Sequence, residues 1–182
     1  MVDDDVSQTM SLTSTFVFDL LTDRIVAEYT GRQEYADDNF EIVRKLCLFY
    51  NAKCMYEQNK KGIYSYFKRK GCLTLLAETP EYLKEQNIIK EIGYGNKGVG
   101  VNATANVNGF ADRLTKEWLI KKQVVLVKEE GQEKEVEIPN LFTVKNRAFL
   151  QEAAAYNPTA NFDRIRAFGM VMIYREAFLI LY

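Results

Sequence analysis

Histidine occurs nowhere in the 182 residues. That absence removes the Ser–His and Cys–His relays of nucleophilic catalysis and argues against a zinc site. Cysteine is scarce too: Cys47, Cys54 and Cys72 share no C-x-x-C spacing and have apolar neighbours. They read as reduced core residues of a cytosolic protein. An excess of one charge is also missing, since 24 basic and 25 acidic side chains leave a formal net charge of -1. No global field draws such a chain to nucleic acid, so DNA affinity has to come from a local patch or another domain. Neither a signal peptide nor an apolar run of membrane length is present, which predicts a soluble chain without a membrane partner. No G-x-x-x-x-G-K-[ST] motif occurs, so the glycine-rich GYGNKGVG stretch gives no support for ATP hydrolysis. Internal repeats and low-complexity segments are absent as well.

What is present is a packed core. Hydrophobic residues make up 47% of the chain and aromatics 13%. A length of 182 residues fits a single domain over 1–182 that buries roughly 70% of its unfolded surface. The organising stretch is NFEIVRKLCLFYNAKCMYEQNKKG, residues 39–62. Asp38 or Asn39 is placed to cap a helix whose apolar stripe is Phe40, Val43, Cys47 and Tyr50, and Asn51 ends it. Residues 52–56 then form an apolar run of the sheet-core type, with Glu57 directly after it.

The flanking elements fit around this unit. Residues 14–20 (STFVFDL) and 25–29 (IVAEY) predict a β-hairpin. Residues 61–70 read as a helix stopped by Gly71, with Lys68, Arg69 and Lys70 complementing its dipole. Residues 73–77 are a second buried-type strand, so strand, helix and strand imply a parallel βαβ crossover. After an irregular stretch over 79–104, Asn106 or Asn108 starts a helix with Phe110, Leu114 and Trp118 facing inward. Residues 124–127 and 136–138 predict a projecting charged hairpin extension at about 123–139. Residues 145–156 form a helix, and Asn161 caps a last helix with Ile165, Phe168 and Met172 as its buried stripe. The fold class is therefore α/β: a mixed sheet of an N-terminal antiparallel hairpin plus parallel strands, flanked by helices.

With imidazole unavailable, metal chemistry falls to carboxylates, which suit Mg²⁺ or Mn²⁺. Glu57 ends a core strand, where open α/β sheets bind ligands, although a glutamate there can simply emerge into solvent. Asp163 opens the last helix, where the helix dipole alone favours a negative charge. A hairpin followed by parallel strands with helices between is the plan of an RNase H-like domain. Such domains hold two divalent ions with three or four carboxylates, activating a water for attack on a phosphodiester.

Three stretches carry a more specific resemblance: DLLTDRIVAEYTGR (residues 19–32), FEIVRKLCLFYNAKCMYEQNKKG (40–62) and NFDRIRAFGMVMIYRE (161–176). Together, in order and spacing over essentially the whole chain, they resemble the RNase H-like nuclease domain of the tailed-bacteriophage terminase large subunit. The resemblance implies cleavage of double-stranded viral DNA during genome packaging in the host cell cytoplasm. It implies two Mg²⁺ or Mn²⁺ ions, and as partners a separate ATPase domain, the small terminase subunit and the portal. Glu57 matches the family's second metal-binding acid, and Asp163 matches its last one, in a D-R-x-x-A setting with Arg164 and Ala167.

One departure stands out. The family's first metal-binding aspartate lies on a central first strand, and this chain reaches DDDVSQT immediately after Met1-Val2. That strand and its acid are therefore expected to lie outside this sequence, with Met1 at an internal boundary. Asp4 and Asp5 match, loosely, a supporting acid and are candidate stand-in ligands; otherwise they belong to a solvated acidic loop. For DNA contacts the candidates are Lys60, Lys61, Lys97 and Arg113, from loops around the expected cleft. No base-reading motif is visible, which predicts cutting with little sequence preference. Two further readings stay open: a catalytically inactive DNA-binding or motor- and portal-docking module, and another RNase H-like enzyme such as a resolvase or transposase. The charged hairpin and the matching stretches argue against the last.

Overall fold

Alternating apolar residues in the TSTFVFD run make strand β1 (Thr13–Asp19), which pairs antiparallel with β2 (Arg24–Gly31). A computed structural model describes residues 12–93, 95–129, 132–157, 160 and 162–181 of the chain. The hairpin register runs from Thr13↔Gly31 to Asp19↔Arg24, with an irregularity between Val17 and Phe18. Its turn is held by Asp19, whose carboxylate accepts the Leu21 amide at 3.0 Å and the Thr22 hydroxyl at 2.6 Å.

Helix α1 (Ala36–Phe49) buries Phe40, Val43 and Cys47, as their spacing predicts. It starts earlier than expected. Tyr35 occupies the N-cap without a side-chain hydrogen bond, so Asp38 and Asn39 lie inside the helix instead of capping it. Two first-turn acids, Asp37 and Asp38, favour that early start through the helix dipole. Tyr50 follows the helix and is exposed, and Asn51 turns the chain at φ 50°. Helix α2 (Lys61–Arg69) buries Ile63, Tyr66 and Phe67 and stops before Gly71, whose φ of 66° suits glycine.

The two expected parallel strands are reduced to single bridges. Cys54 pairs parallel with Leu76, but residues 73–75 form a 3-10 turn instead of a strand. The Leu76 amide closes that turn onto the Leu73 carbonyl at 2.9 Å, so the apolar run satisfies itself locally before the sheet can extend. Beyond the bridge, residues 99–101 come in beside the same segment: Glu57 pairs parallel with Val101, and Glu78 pairs antiparallel with Val99. Among the described residues, a mixed α/β arrangement with two antiparallel hairpins is present, and no multi-stranded parallel ladder joins them.

A short helix α3 (Tyr82–Glu85) leads through the irregular stretch to α4 (Ala105–Ile120), whose N-cap is Thr104, accepting the Val107 amide. Neither Asn106 nor Asn108 caps it. Strands β3 (Lys122–Glu129) and β4 (Gln132–Pro139) form the charged hairpin extension, longer than its apolar stretches imply. Helix α5 (Arg147–Ala155) is capped by Asn146, and α6 (Asp163–Leu181) closes the fold. Asn161, the expected cap of α6, lies outside the described residues. No described helix is long and apolar enough to cross a membrane.

Two separate cores result. The larger joins β1, α4, α5 and α6 around Phe168, which stands edge-to-face with Phe16 at 5.3 Å and Phe149 at 5.1 Å and tilted against Trp118 at 5.0 Å. The smaller packs α1 and α2 onto Tyr56 and Leu76. Between them lies a cavity of about 560 Å3.

Candidate functional site

The chain positions Glu57 through a network that begins one residue later. Gln58 sends its side-chain amide nitrogen to the carbonyls of Lys97 at 2.8 Å and Val99 at 3.0 Å. The Thr79 hydroxyl donates to the Gly100 carbonyl at 2.7 Å. Backbone bonds from Val101 N–H to Tyr56 C=O (2.8 Å) and from Gln58 N–H to Val101 C=O (3.0 Å) complete the clamp. Gly100 makes this approach possible: at φ 70° a Cβ there would lie 2.5 Å from the Tyr56 carbonyl oxygen. The glycine-rich stretch is thus a brace that fixes the end of the 52–57 segment.

Held in this way, Glu57 is buried, with 7% of its surface exposed, and it lines the cavity between the two cores. Its carbonyl accepts the Lys60 amide at 3.0 Å, which brings Lys60 into the same lining. No hydrogen bond or ion pair from another described residue reaches the Glu57 carboxylate.

Asp163 is equally buried, at 7% exposure, but stands elsewhere. Its Oδ2 accepts the Leu12 amide at 2.7 Å, tying the start of β1 to the start of α6. It is not among the residues lining the cavity that holds Glu57. Next to it, Arg164 bonds Glu152 of α5 at 2.6 Å and approaches Glu28 of β2 at 3.4 Å. Glu28 also accepts from the Thr30 hydroxyl at 3.1 Å and from the Asn146 side chain.

Asp4 and Asp5 lie outside the described residues. Of the expected DNA-contacting cations, Lys60 and Lys61 flank the Glu57 turn, and the Gln58 bond brings the Lys97 backbone alongside. Lys61 and Lys97 are exposed. Arg113 sits apart on α4, where it pairs with Glu117 at 3.0 Å and lies 4.9 Å over the Phe110 ring. No family model, curated protein or solved structure matches the chain.

The carboxylate oxygens of Glu57 fit one hard divalent ion, since oxygen donors and an open cavity side are what such ions take. A two-ion clamp needs more. No group of three or more acidic or thiol side chains placed to hold a metal forms among the described residues. Sequence reasoning located Glu57 but missed Gln58, Thr79 and the Glu28–Arg164–Glu152 cluster. Only the period-2 alternation of β2 hinted at Glu28; Gln58 and Thr79 carry no local signal, because their partners are carbonyls about 20 to 40 residues away.

Proposed function

We propose that the chain is a divalent-metal-dependent endonuclease domain acting on double-stranded DNA, with Glu57 as a metal ligand. The observation that carries this reading is the Glu57 carboxylate, without an ion pair or hydrogen bond from another described residue, on a cavity of about 560 Å3 that Lys60 also lines and beside the Lys97 backbone. The three-stretch resemblance to terminase nuclease domains supports it independently. The hairpin, the parallel contacts of the 52–57 segment and the helices on either side are compatible with an RNase H-like plan. When bound, Mg²⁺ or Mn²⁺ supplies positive charge against the anionic phosphodiester as it is cleaved.

The chain's own groups do the rest. Glu57 holds the ion at the end of a braced segment. Lys60, Lys61 and Lys97 meet backbone phosphates by charge, without reading bases. Asp163 accepts the Leu12 amide through one carboxylate oxygen, at the start of α6. The ATPase domain, small subunit, portal and viral packaging setting belong to the same proposal.

A second reading, an inactive DNA-binding or docking module, is favoured by the lack of a three-carboxylate group among the described residues. Nicking of supercoiled plasmid in Mn²⁺ separates the two. Under the nuclease reading the parent cuts, and Glu57→Gln and Asp163→Ala each cut about 100-fold more slowly, at least the scale of supporting groups in metal sites. Mn²⁺ should also raise the melting temperature of the parent and leave that of Glu57→Gln unchanged. DNA binding without nicking, and without a Mn²⁺ shift, would sink the nuclease and leave the module.

A further inference from the structure

The hairpin of β3 and β4 has two unlike faces. Its register sets Val124 opposite Glu137, Leu126 opposite Glu135 and Lys128 opposite Glu133. Side chains alternate along each strand, so Val124 and Leu126 share one face with the three glutamates. The other face carries Gln123, Val125, Val136 and Ile138, all half-buried, and Gln123 accepts from Arg24 of the first hairpin. That inner face lies toward the body of the protein. On the outer face Val124 keeps 52% and Leu126 66% of its surface exposed, and Glu133, Glu135 and Glu137 are exposed as well.

Strand propensity accounts for a valine here but not for this pattern. Glutamate is a poor strand residue, yet β4 repeats it at three successive outward positions. Cross-strand charge pairing explains one of them, Glu133, which Lys128 approaches at 3.9 Å. Glu135 and Glu137 stand beside Leu126 and Val124 instead, and no ion pair from another described residue reaches them. The outer face thus holds an apolar row and an acidic row side by side.

The two rows together define an occupant. Exposed apolar side chains gain from any apolar cover, but the glutamates restrict what can supply it. Nucleic acid and anionic membrane surfaces are repelled by such a row. A second copy laid face to face brings three more glutamates against two lysines, Lys122 and Lys128, so the joined face stays net negative. A cationic partner fits. A helix suits the spacing, because its residues at i, i+4 and i+8 rise about 6 Å apiece, against about 6.8 Å between alternate strand residues. Exposed Ile120, at the end of α4, and Leu141 and Phe142, just after β4, add apolar surface at the hairpin base.

We propose that the outer face of the β3–β4 hairpin docks a basic amphipathic helix of another polypeptide. Its apolar stripe covers Val124 and Leu126, and its Lys or Arg side chains run along Glu133, Glu135 and Glu137. The inference is independent of the nuclease reading, since none of these residues lines the Glu57 cavity.

The test is a display library of helical peptides of about 18 residues, five turns, selected on the full chain. Stripe positions vary over Ala and Leu, and flanking positions over Lys, Glu, Gln and Ser. Enriched peptides should carry a leucine stripe beside lysines at i, i+4 and i+8. Their affinity should fall at least about tenfold with Leu126→Ser and with Glu135→Lys, and changing the middle lysine to glutamate should recover binding to Glu135→Lys. Both variants sit at exposed positions, so melting temperature and behaviour in the plasmid assay should stay those of the parent. No enrichment overturns the proposal. So does binding that survives scrambling of the leucine stripe, which marks bare charge attraction, or binding indifferent to both variants, which lies elsewhere on the chain. Affinity retained with a central proline would mean an extended partner at the hairpin edge and would overturn the helix. Self-association of the chain alone that Leu126→Ser abolishes would assign the face to a second copy.

Discussion

At the scale of single residues, the least replaceable side chains are those that join distant parts of the chain. Asp23 sits in the first hairpin turn at φ 57° and takes two bonds from Arg175 of α6, one of them at 2.9 Å, plus one from Lys121 at 3.0 Å. Burial raises its carboxyl, but the hydrogen bonds from Arg175 and Lys121 outweigh that and hold it below the ordinary range. Asp23→Ala strands the buried Arg175 and should cost about 3 kcal/mol, or roughly 6–12 °C in melting temperature. Asp23→Asn should recover part of the loss, because asparagine accepts the left-handed conformation that alanine resists. Equal melting points for Asp23→Ala and the parent would remove Asp23 from this role. None of this was legible in the sequence, where Asp23 is one polar turn residue among several and Arg175 lies 152 positions away. Glu57 was legible because its signal is local: an apolar run stops at an acid. Gly100 falls between these cases. Its glycine-rich setting was visible, but the contact demanding it, with Tyr56, was not; Gly100→Ala should cost about 2 kcal/mol or more from the positive φ alone.

At the scale of elements, the helices followed their sequence periods, and the strands divided by how their partners are reached. Both hairpins were legible because the partner strand lies within a few residues. The parallel pairing at Cys54 and Leu76 was legible as a direction, but its extent was not, because a 3-10 turn competes for residues 73–75. The junction of α1 with α2 rests on Glu41, which takes two bonds from Arg44, at 2.7 and 2.8 Å, and one from the Tyr66 hydroxyl at 2.6 Å. Arg44 first, and then Tyr66, hold the Glu41 carboxyl down to about 2 from an ordinary 4.5. A depressed folded-state value means the contribution is complete above pH 4.5 and drains away as pH falls toward 2. Acid titration of the α1–α2 amides by hydrogen exchange should therefore show weakening across that window in the parent and a flatter response in Glu41→Gln. Parallel curves would mean that Glu41 does not couple the two helices.

At the scale of the whole molecule, the separation of the cores sets how the chain comes apart. A domain of this size ordinarily has one contiguous core, and cooperativity follows from it. Here the aromatic cluster around Phe168 and the α1–α2 cluster face each other across a cavity, bridged mainly by β1 and the braced 52–57 segment. Neither composition nor periodicity could reveal this, since both clusters draw on the same kinds of apolar stripe. Trp118, the single tryptophan, lies in the larger core and reports on it alone. The amides of α1 and α2 should exchange at least about tenfold faster than those of α4 and α6, because the smaller core opens as its own unit. For the same reason, denaturation followed by Trp118 fluorescence should lag behind loss of helical dichroism. Coincident transitions in the unliganded chain would instead mean that β1 and the 52–57 segment already couple the halves, and that the cavity is no weakness in the fold.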